Sequence, residues 1–242
     1  ITEQFANGGN GSVYNGVTIP GFGVAYTQST DDASEGRFAA SVNYTALEGD
    51  HAATGLGFGG ENAKGSLLTK VEYGTPSWQV SGAIAKKTAP TTATNGFDGA
   101  FHSAAAKATK GDLTAYALRA YWQPEEAGAM PSVQFGYDFA NYDQAVSGEA
   151  EDTAGWMVGF GWKDLGSDGN SAGIAYGSRQ HATSYKSVNT KDAAEDNSVW
   201  EAYYTFKIND GVTVTPAVFG GSDVISDNKS ISGALVQTEF RF

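Results

Sequence analysis

The chain has 242 residues, with 15 Lys and Arg against 27 Asp and Glu for a formal net charge of -12, a balance that argues against nucleic-acid binding because such binders need a basic surface to release counterions. Cysteine is absent, which excludes a disulfide framework, a thiolate metal site and a cysteine nucleophile. With 32 Gly, 12 Tyr, 13 Phe and 5 Trp against 6 Pro and 2 Met, the composition leans towards strands joined by many turns.

Residue 1 is Ile, with neither a basic n-region nor an apolar h-region after it, so the chain is expected to be processed or incomplete. Residues 1 to 20 are rich in Gly and Asn and read as a loop, unless Thr2 to Thr18 holds a distorted strand. Eleven segments then alternate with the period of two that marks a strand with unlike faces. The first runs from Phe22 to Gln28, with Phe22, Val24 and Tyr26 on one face, and the second from Arg37 to Ala46, with Phe38, Ala40, Val42 and Tyr44 in phase. Leu67 to Tyr73 and Trp78 to Lys87 follow, joined by a short turn containing Gly74, Pro76 and Ser77, and read as a hairpin. The fifth is Leu113 to Gln123, the sixth Val133 to Tyr142 and the seventh Ala154 to Lys163, where Trp156, Val158, Phe160 and Trp162 oppose Gly155, Met157, Gly159 and Gly161. The eighth is Ala172 to Arg179, the ninth Trp200 to Ile208, the tenth Val212 to Phe219 and the eleventh Ser230 to Phe242. No segment shows a comparable helical period, and no apolar run approaches the roughly 20 residues of a membrane helix.

The last segment, S-I-S-G-A-L-V-Q-T-E-F-R-F, places Ala234, Val236, Thr238, Phe240 and Phe242 on one face and Gly233, Leu235, Gln237, Glu239 and Arg241 on the other. A chain that stops on Phe after such a strand resembles the closing strand of a bacterial outer-membrane β-barrel, in which the terminal aromatic is part of the signal read by the assembly machinery. The same strand also suits the edge of a soluble β-sandwich. The connections favour the barrel, because such barrels have short periplasmic turns and longer external loops. Counted back from a periplasmic C-terminus, Gly220 to Lys229, His181 to Asn197, Asp143 to Thr153, Thr88 to Asp112 and Leu47 to Ser66 fall outside. Asn209 to Gly211, Asp164 to Ser171, Pro124 to Ser132, Gly74 to Ser77 and Ser29 to Gly36 fall on the periplasmic side and are shorter on average.

The closing L-V-Q-T-E-F-R-F, the small-residue strands and the acidic Gly-rich loops resemble cyanobacterial outer-membrane porins, which are similar to the carbohydrate-selective porin family. That resemblance implies an antiparallel transmembrane β-barrel of the all-β class and passive diffusion of small hydrophilic solutes through homotrimeric channels without a cofactor. It also implies attachment to the cell wall through an N-terminal S-layer-homology segment, and nothing like that segment is present. Eleven strands conflict with the even number of a single-chain bacterial barrel. The chain therefore reads as one domain over residues 1 to 242, the C-terminal part of a barrel of 12 to 16 strands.

All five tryptophans fall on the phase assigned to lipid. Trp78, Trp122 and Trp162 lie at periplasmic strand ends beside Tyr73, Phe240 and Phe242, while Trp156 and Trp200 lie at external ends, forming two aromatic girdles against outer-membrane lipids. The inward phase carries the cations Arg37, Lys70, Lys87, Arg119, Lys163, Arg179, Lys207 and Arg241 with the anions Glu72, Asp138, Glu201 and Glu239. Such charges either set the selectivity of a pore or pair to stiffen its wall. Their balance predicts a weak anion preference.

Signals for an enzyme are weak. His51, His102 and His181 all fall in predicted external loops, without H-x-x-x-H spacing, and read as solvated side chains rather than a metal site. Gly55 to Ser66 has the glycine density of a phosphate-binding loop but lacks the Gly-Lys-Ser/Thr order. Asp164, Asp168 and Asn170 lack the terminal Glu of a calcium loop and suit a turn. The expected function is a non-enzymatic outer-membrane porin. The alternatives are a channel specific for sugar or for iron or another metal, and a non-conducting structural or adhesive barrel; a lipid-processing barrel would need a loop His.

Overall fold

The computed structural model describes residues 13–14, 20–32, 34–46, 49, 55, 57–60, 62–89, 110–126, 128–187, 197–223 and 230–241. Among them are eleven strands and no helix: β1 (Gly21–Thr27), β2 (Arg37–Ala46), β3 (Gly65–Thr75), β4 (Trp78–Thr88), β5 (Leu113–Trp122), β6 (Ser132–Tyr142), β7 (Ala150–Lys163), β8 (Ser171–Tyr185), β9 (Ser198–Asn209), β10 (Val212–Ser222) and β11 (Ser230–Phe240). Each strand pairs with its chain neighbours, so one antiparallel sheet runs in order from β1 to β11. Among the described residues β1 and β11 do not pair, so the sheet they form is open. With an odd number of antiparallel strands, the two edge strands run in the same direction.

Alternation along each strand becomes a continuous face because the register preserves it. Phe38 stands opposite Tyr73, Tyr73 opposite Val80, Val80 opposite Ala120 and Ala120 opposite Phe135. The row continues through Val158 and Tyr176 to Trp200. A slip of one residue at any pairing would throw the following strand's apolar set onto the other face. This face is exposed: Val24 keeps 74% of its surface and Val236 69%. The opposite face carries smaller side chains on the whole and is covered over β4 to β6, with Ala85 and Ala115 at 0%. A soluble sheet buries its large apolar side chains, whereas here the large ones face out and the small ones face in. We call these the outer and inner faces.

The strand ends agree with the alternating segments to within two residues, except that β10 runs three residues further, to Ser222, and that larger extensions occur at β7 and β8. These run on past the other strands to Ala150 and Tyr185, through register shifts around Asp152 and between Ala154 and Trp156. Gly148 N–H donates to the Lys186 carbonyl and Lys186 N–H to that of Glu149, each at 2.9 Å, which seals the hairpin. Two expectations change. The connection between β6 and β7 shrinks to 143–149, and His181 lies on β8 rather than in a loop, with Nδ1 2.8 Å from the Arg179 carbonyl oxygen. Alternation failed there because a bulge breaks the period of two.

The short connections are held by their own polar side chains. Gly211 N–H donates to Asn209 Oδ1 at 2.9 Å, and Gly169 N–H to Asp164 Oδ1 at 2.6 Å. Asn170 accepts from Lys207 N–H at 2.9 Å and donates to the Tyr204 hydroxyl at 3.0 Å. Asp164 and Asn170 are thus used in building a turn. Asp32 caps another by accepting from the backbone and hydroxyl of Ser34 at 2.8 Å each, which holds its carboxyl below the usual range. We call this edge of the sheet the turn end and the opposite edge the loop end. His51, His102, Phe242 and most of residues 1 to 20 lie outside the described residues.

Close strand packing sets a contrast between two glycines. A Cβ at Gly177 would run into the Trp156 carbonyl oxygen and lie 2.8 Å from Met157 Cα, both backbone atoms, while a Cβ at Gly82 has no neighbour nearer than Leu118 Cδ2 at 3.8 Å. Gly177→Ala should therefore cost about 1–3 kcal/mol in urea unfolding. Gly82→Ala should be neutral or stabilise by up to about 1 kcal/mol by restricting the unfolded chain.

Candidate functional site

The side chains that could meet a solute are those of the inner face, and its charges are mostly engaged with one another. At its centre Arg119 on β5 reaches Asp138 on β6 at 2.6 Å and also donates to the carbonyls of Leu118 at 2.9 Å and Tyr137 at 3.1 Å. The register sets Arg119 opposite Gly136 and Ala117 opposite Asp138. The Arg119 side chain therefore runs over Gly136, where an added Cβ would lie 3.4 Å from Arg119 Cδ. Asp138 is 1% exposed, and its Oδ1 has no hydrogen-bond partner. Lys70 and Glu72, two residues apart on β3, form a second pair.

Lys87 and Glu201 are buried at 0% and 2% exposure. A charge so enclosed acts on the wall's own structure before it acts on a passing ion. Arg179 shares the phase of Gly173, Ala175 and Gly177, and its backbone N–H donates to Asn197 Oδ1 at 3.0 Å. At the turn end Lys207 pairs with Asp210 at 2.8 Å and Arg241 with Glu239 at 2.9 Å. Lys207 holds the Asp210 carboxyl below its usual range, first by the hydrogen bond and then by charge. Arg37 and Lys163, also at the turn end, form no ion pair among the described residues. Among the described residues four of the eight expected lining cations are thus paired with a carboxylate, three of them through contacts local in sequence and Arg119 across to the next strand.

Between β9, β10 and β11 the inner face opens into a hollow of about 560 Å³, lined among others by Thr205, Lys207, Thr215, Gln237, Glu239 and Arg241. The Thr205 and Thr215 hydroxyls meet across the strands at 2.9 Å. This is a wall of hydroxyl, amide and paired charge, suited to contact with hydrated solutes. Among the described residues no group of three His, Cys, Asp or Glu is placed to hold a metal.

The aromatic positions lie on the outer face. Trp78 stands directly opposite Trp122 at the turn end, and Tyr73 packs edge-on against Trp78 with ring centres 5.8 Å apart. Phe240 is exposed near the end of β11, and Trp162 Nε1 donates to the Ala129 carbonyl at 3.0 Å. Trp200 lies near the loop end of β9. Trp156 does not sit at a strand end as expected: β7 is longer than the alternating segment, which leaves Trp156 near mid-strand, edge-on to Tyr176 at 5.6 Å.

Residues that the sequence did not single out complete the site. Val13 and Tyr14, expected in an external loop, pack on the inner face with Ala83, Ala85, Leu113, Ala115, Ala117, Ala140 and Tyr142. The Tyr14 ring lies 5.3 Å from the Arg119 guanidinium carbon. Two adjacent residues in a Gly-rich stretch carry no period that could have revealed this.

The buried pair gives a direct test. Arg119→Met leaves Asp138 enclosed without its partner and should cost about 3–5 kcal/mol in urea unfolding, whereas adding Asp138→Asn should recover part of that loss. The chain matches no protein-family model, no curated protein and no solved structure, so its function is argued from the wall itself.

Proposed function

We propose that this sheet is the wall of an outer-membrane porin that lets small hydrophilic solutes and inorganic ions diffuse passively, without enzymatic activity. The observation that carries the reading is the inversion of the two faces: large apolar and aromatic side chains are exposed outside, while glycine, alanine and polar groups line the inside. Lipid would satisfy the outer face at no cost, and water would satisfy the hollow at the turn end. The aromatic residues at strand ends support the same reading, since amphipathic rings settle at membrane interfaces.

In this reading the turn end is periplasmic and the loop end external. The open edges close through an odd number of additional strands, because only strands running opposite to β1 and β11 pair with both in antiparallel fashion. A total of 12, 14 or 16 strands follows, and trimeric assembly in a cyanobacterial-type outer membrane comes from the family resemblance alone. A non-conducting structural barrel is the second reading, and the covered alanine wall of β4 to β6 favours it.

Conductance separates the two. Reconstituted in planar bilayers, the full-length protein should give stepwise single-channel currents; a silent bilayer with correctly assembled protein would rule out the porin. Selectivity should be weak, since Lys70, Arg119, Lys207 and Arg241 each face a carboxylate and Lys87 is buried, while Arg37 and Lys163 form no ion pair among the described residues. A reversal potential under a KCl gradient should show a slight preference for chloride. Arg37→Glu with Lys163→Glu should move it towards potassium more than Arg179→Glu does.

A further inference from the structure

The alanine wall on β4, β5 and β6 is covered, and the sheet cannot cover it alone. Ala25, at an inner-face position of β1, is exposed, as an alanine on a bare sheet must be. Ala83, Ala85, Ala115, Ala117 and Ala140 occupy the same face at 0–4% exposure. Val13, at 2%, is enclosed together with them, so the contact excludes water from both sides. Tyr14 lies beside it over the Arg119 guanidinium, which also reaches Asp138. Tyr14 is half-buried, and its surroundings include Lys70, Ser81, Arg119 and Asp138, one from each of β3 to β6.

We infer that Val13 and Tyr14 form a latch that docks on the inner wall, narrows the lumen beside β4 to β6 and takes Arg119 out of the set of charges a solute meets. The division of labour follows from chemistry. Val13 supplies apolar contact to a surface made of methyl groups, which has no other means of holding a ligand. Tyr14 supplies direction, because a cation lies favourably over an aromatic face and Asp138 fixes where that cation stands. Alanine suits this arrangement at 83, 85, 115 and 117: anything larger at those positions would fill the space the latch occupies, and glycine would leave less to bury. The small-residue wall is thus a receptor as well as a lining. The inference rests on the porin reading only in its consequence for conductance.

The test uses single cysteines in the full-length protein, in lipid vesicles, with a small aqueous maleimide. Gln237→Cys reports an open inner-face position and Val236→Cys an outer-face one. In the otherwise native chain Ala117→Cys should react at least about tenfold more slowly than Gln237→Cys, as expected of a site that must open locally to be reached. Tyr14→Ala and Val13→Asp should each raise the Ala117→Cys rate towards that of Gln237→Cys, whereas Tyr14→Phe should keep it slow. Equal rates at the two positions in the native background would overturn the latch. So would a rate at Ala117→Cys that neither Tyr14→Ala nor Val13→Asp changes. If Val13→Asp fails to assemble, shown by loss of the contrast between Gln237→Cys and Val236→Cys, the comparison of Tyr14→Ala with Tyr14→Phe decides. Tyr14→Ala should also enlarge the single-channel conductance. A silent bilayer with the expected labelling would sink the porin reading and leave the latch standing.

Discussion

Everything in this architecture depends on the pairing of backbone N–H and C=O groups. In the porin reading, outward-facing side chains as apolar as Val24, Leu118 and Val236 meet a medium that offers the backbone no hydrogen bonds, where an unpaired group would cost several kcal/mol. A nearest-neighbour meander is the simplest arrangement that pairs every interior strand on both sides, and β2 to β10 are all paired in this way. The short connections serve the same requirement, with Asn209, Asp164 and Asp32 satisfying backbone donors where the ladder ends.

Once the outer face carries the bulk, the inner face must be small. Gly155, Gly159 and Gly161 alternate with Trp156, Val158, Phe160 and Trp162 along β7, and Gly173, Ala175 and Gly177 alternate with Ile174 and Tyr176 along β8. Such a wall lets other groups approach the backbone. The Tyr203 ring lies over Gly173, and Arg119 lies over Gly136. The high glycine content is therefore spent on contact as much as on turns.

The charges of the inner face follow a related logic. Wall charges that lie close together pair, and the most enclosed, Arg119 with Asp138, is the one that also meets an aromatic ring. Towards the turn end the pairs become exposed: Asp210 keeps 99% of its side-chain surface beside Lys207 at 41%. Exposed pairs of this kind contribute little stability. In the porin reading they would act on the field at the mouth of the channel, which salt screens beyond about 8 Å at physiological ionic strength.

Eleven strands, their order and their two faces were legible in the sequence because a period of two is a local property: Phe22, Val24 and Tyr26 announce a strand whatever they pair with. Long-range register added only that the faces join, and antiparallel neighbours with short turns leave little freedom there. Three things were decided by tertiary structure. The extension of β7 and β8, with His181 on a strand, depends on a bulge that interrupts the period. The pairing of Arg119 with Asp138 depends on a diagonal reach across β5 and β6 over Gly136, which no spacing along the chain encodes. The docking of Val13 and Tyr14 depends on a surface assembled from three strands, and a segment without periodicity gives no sign of the face it will find.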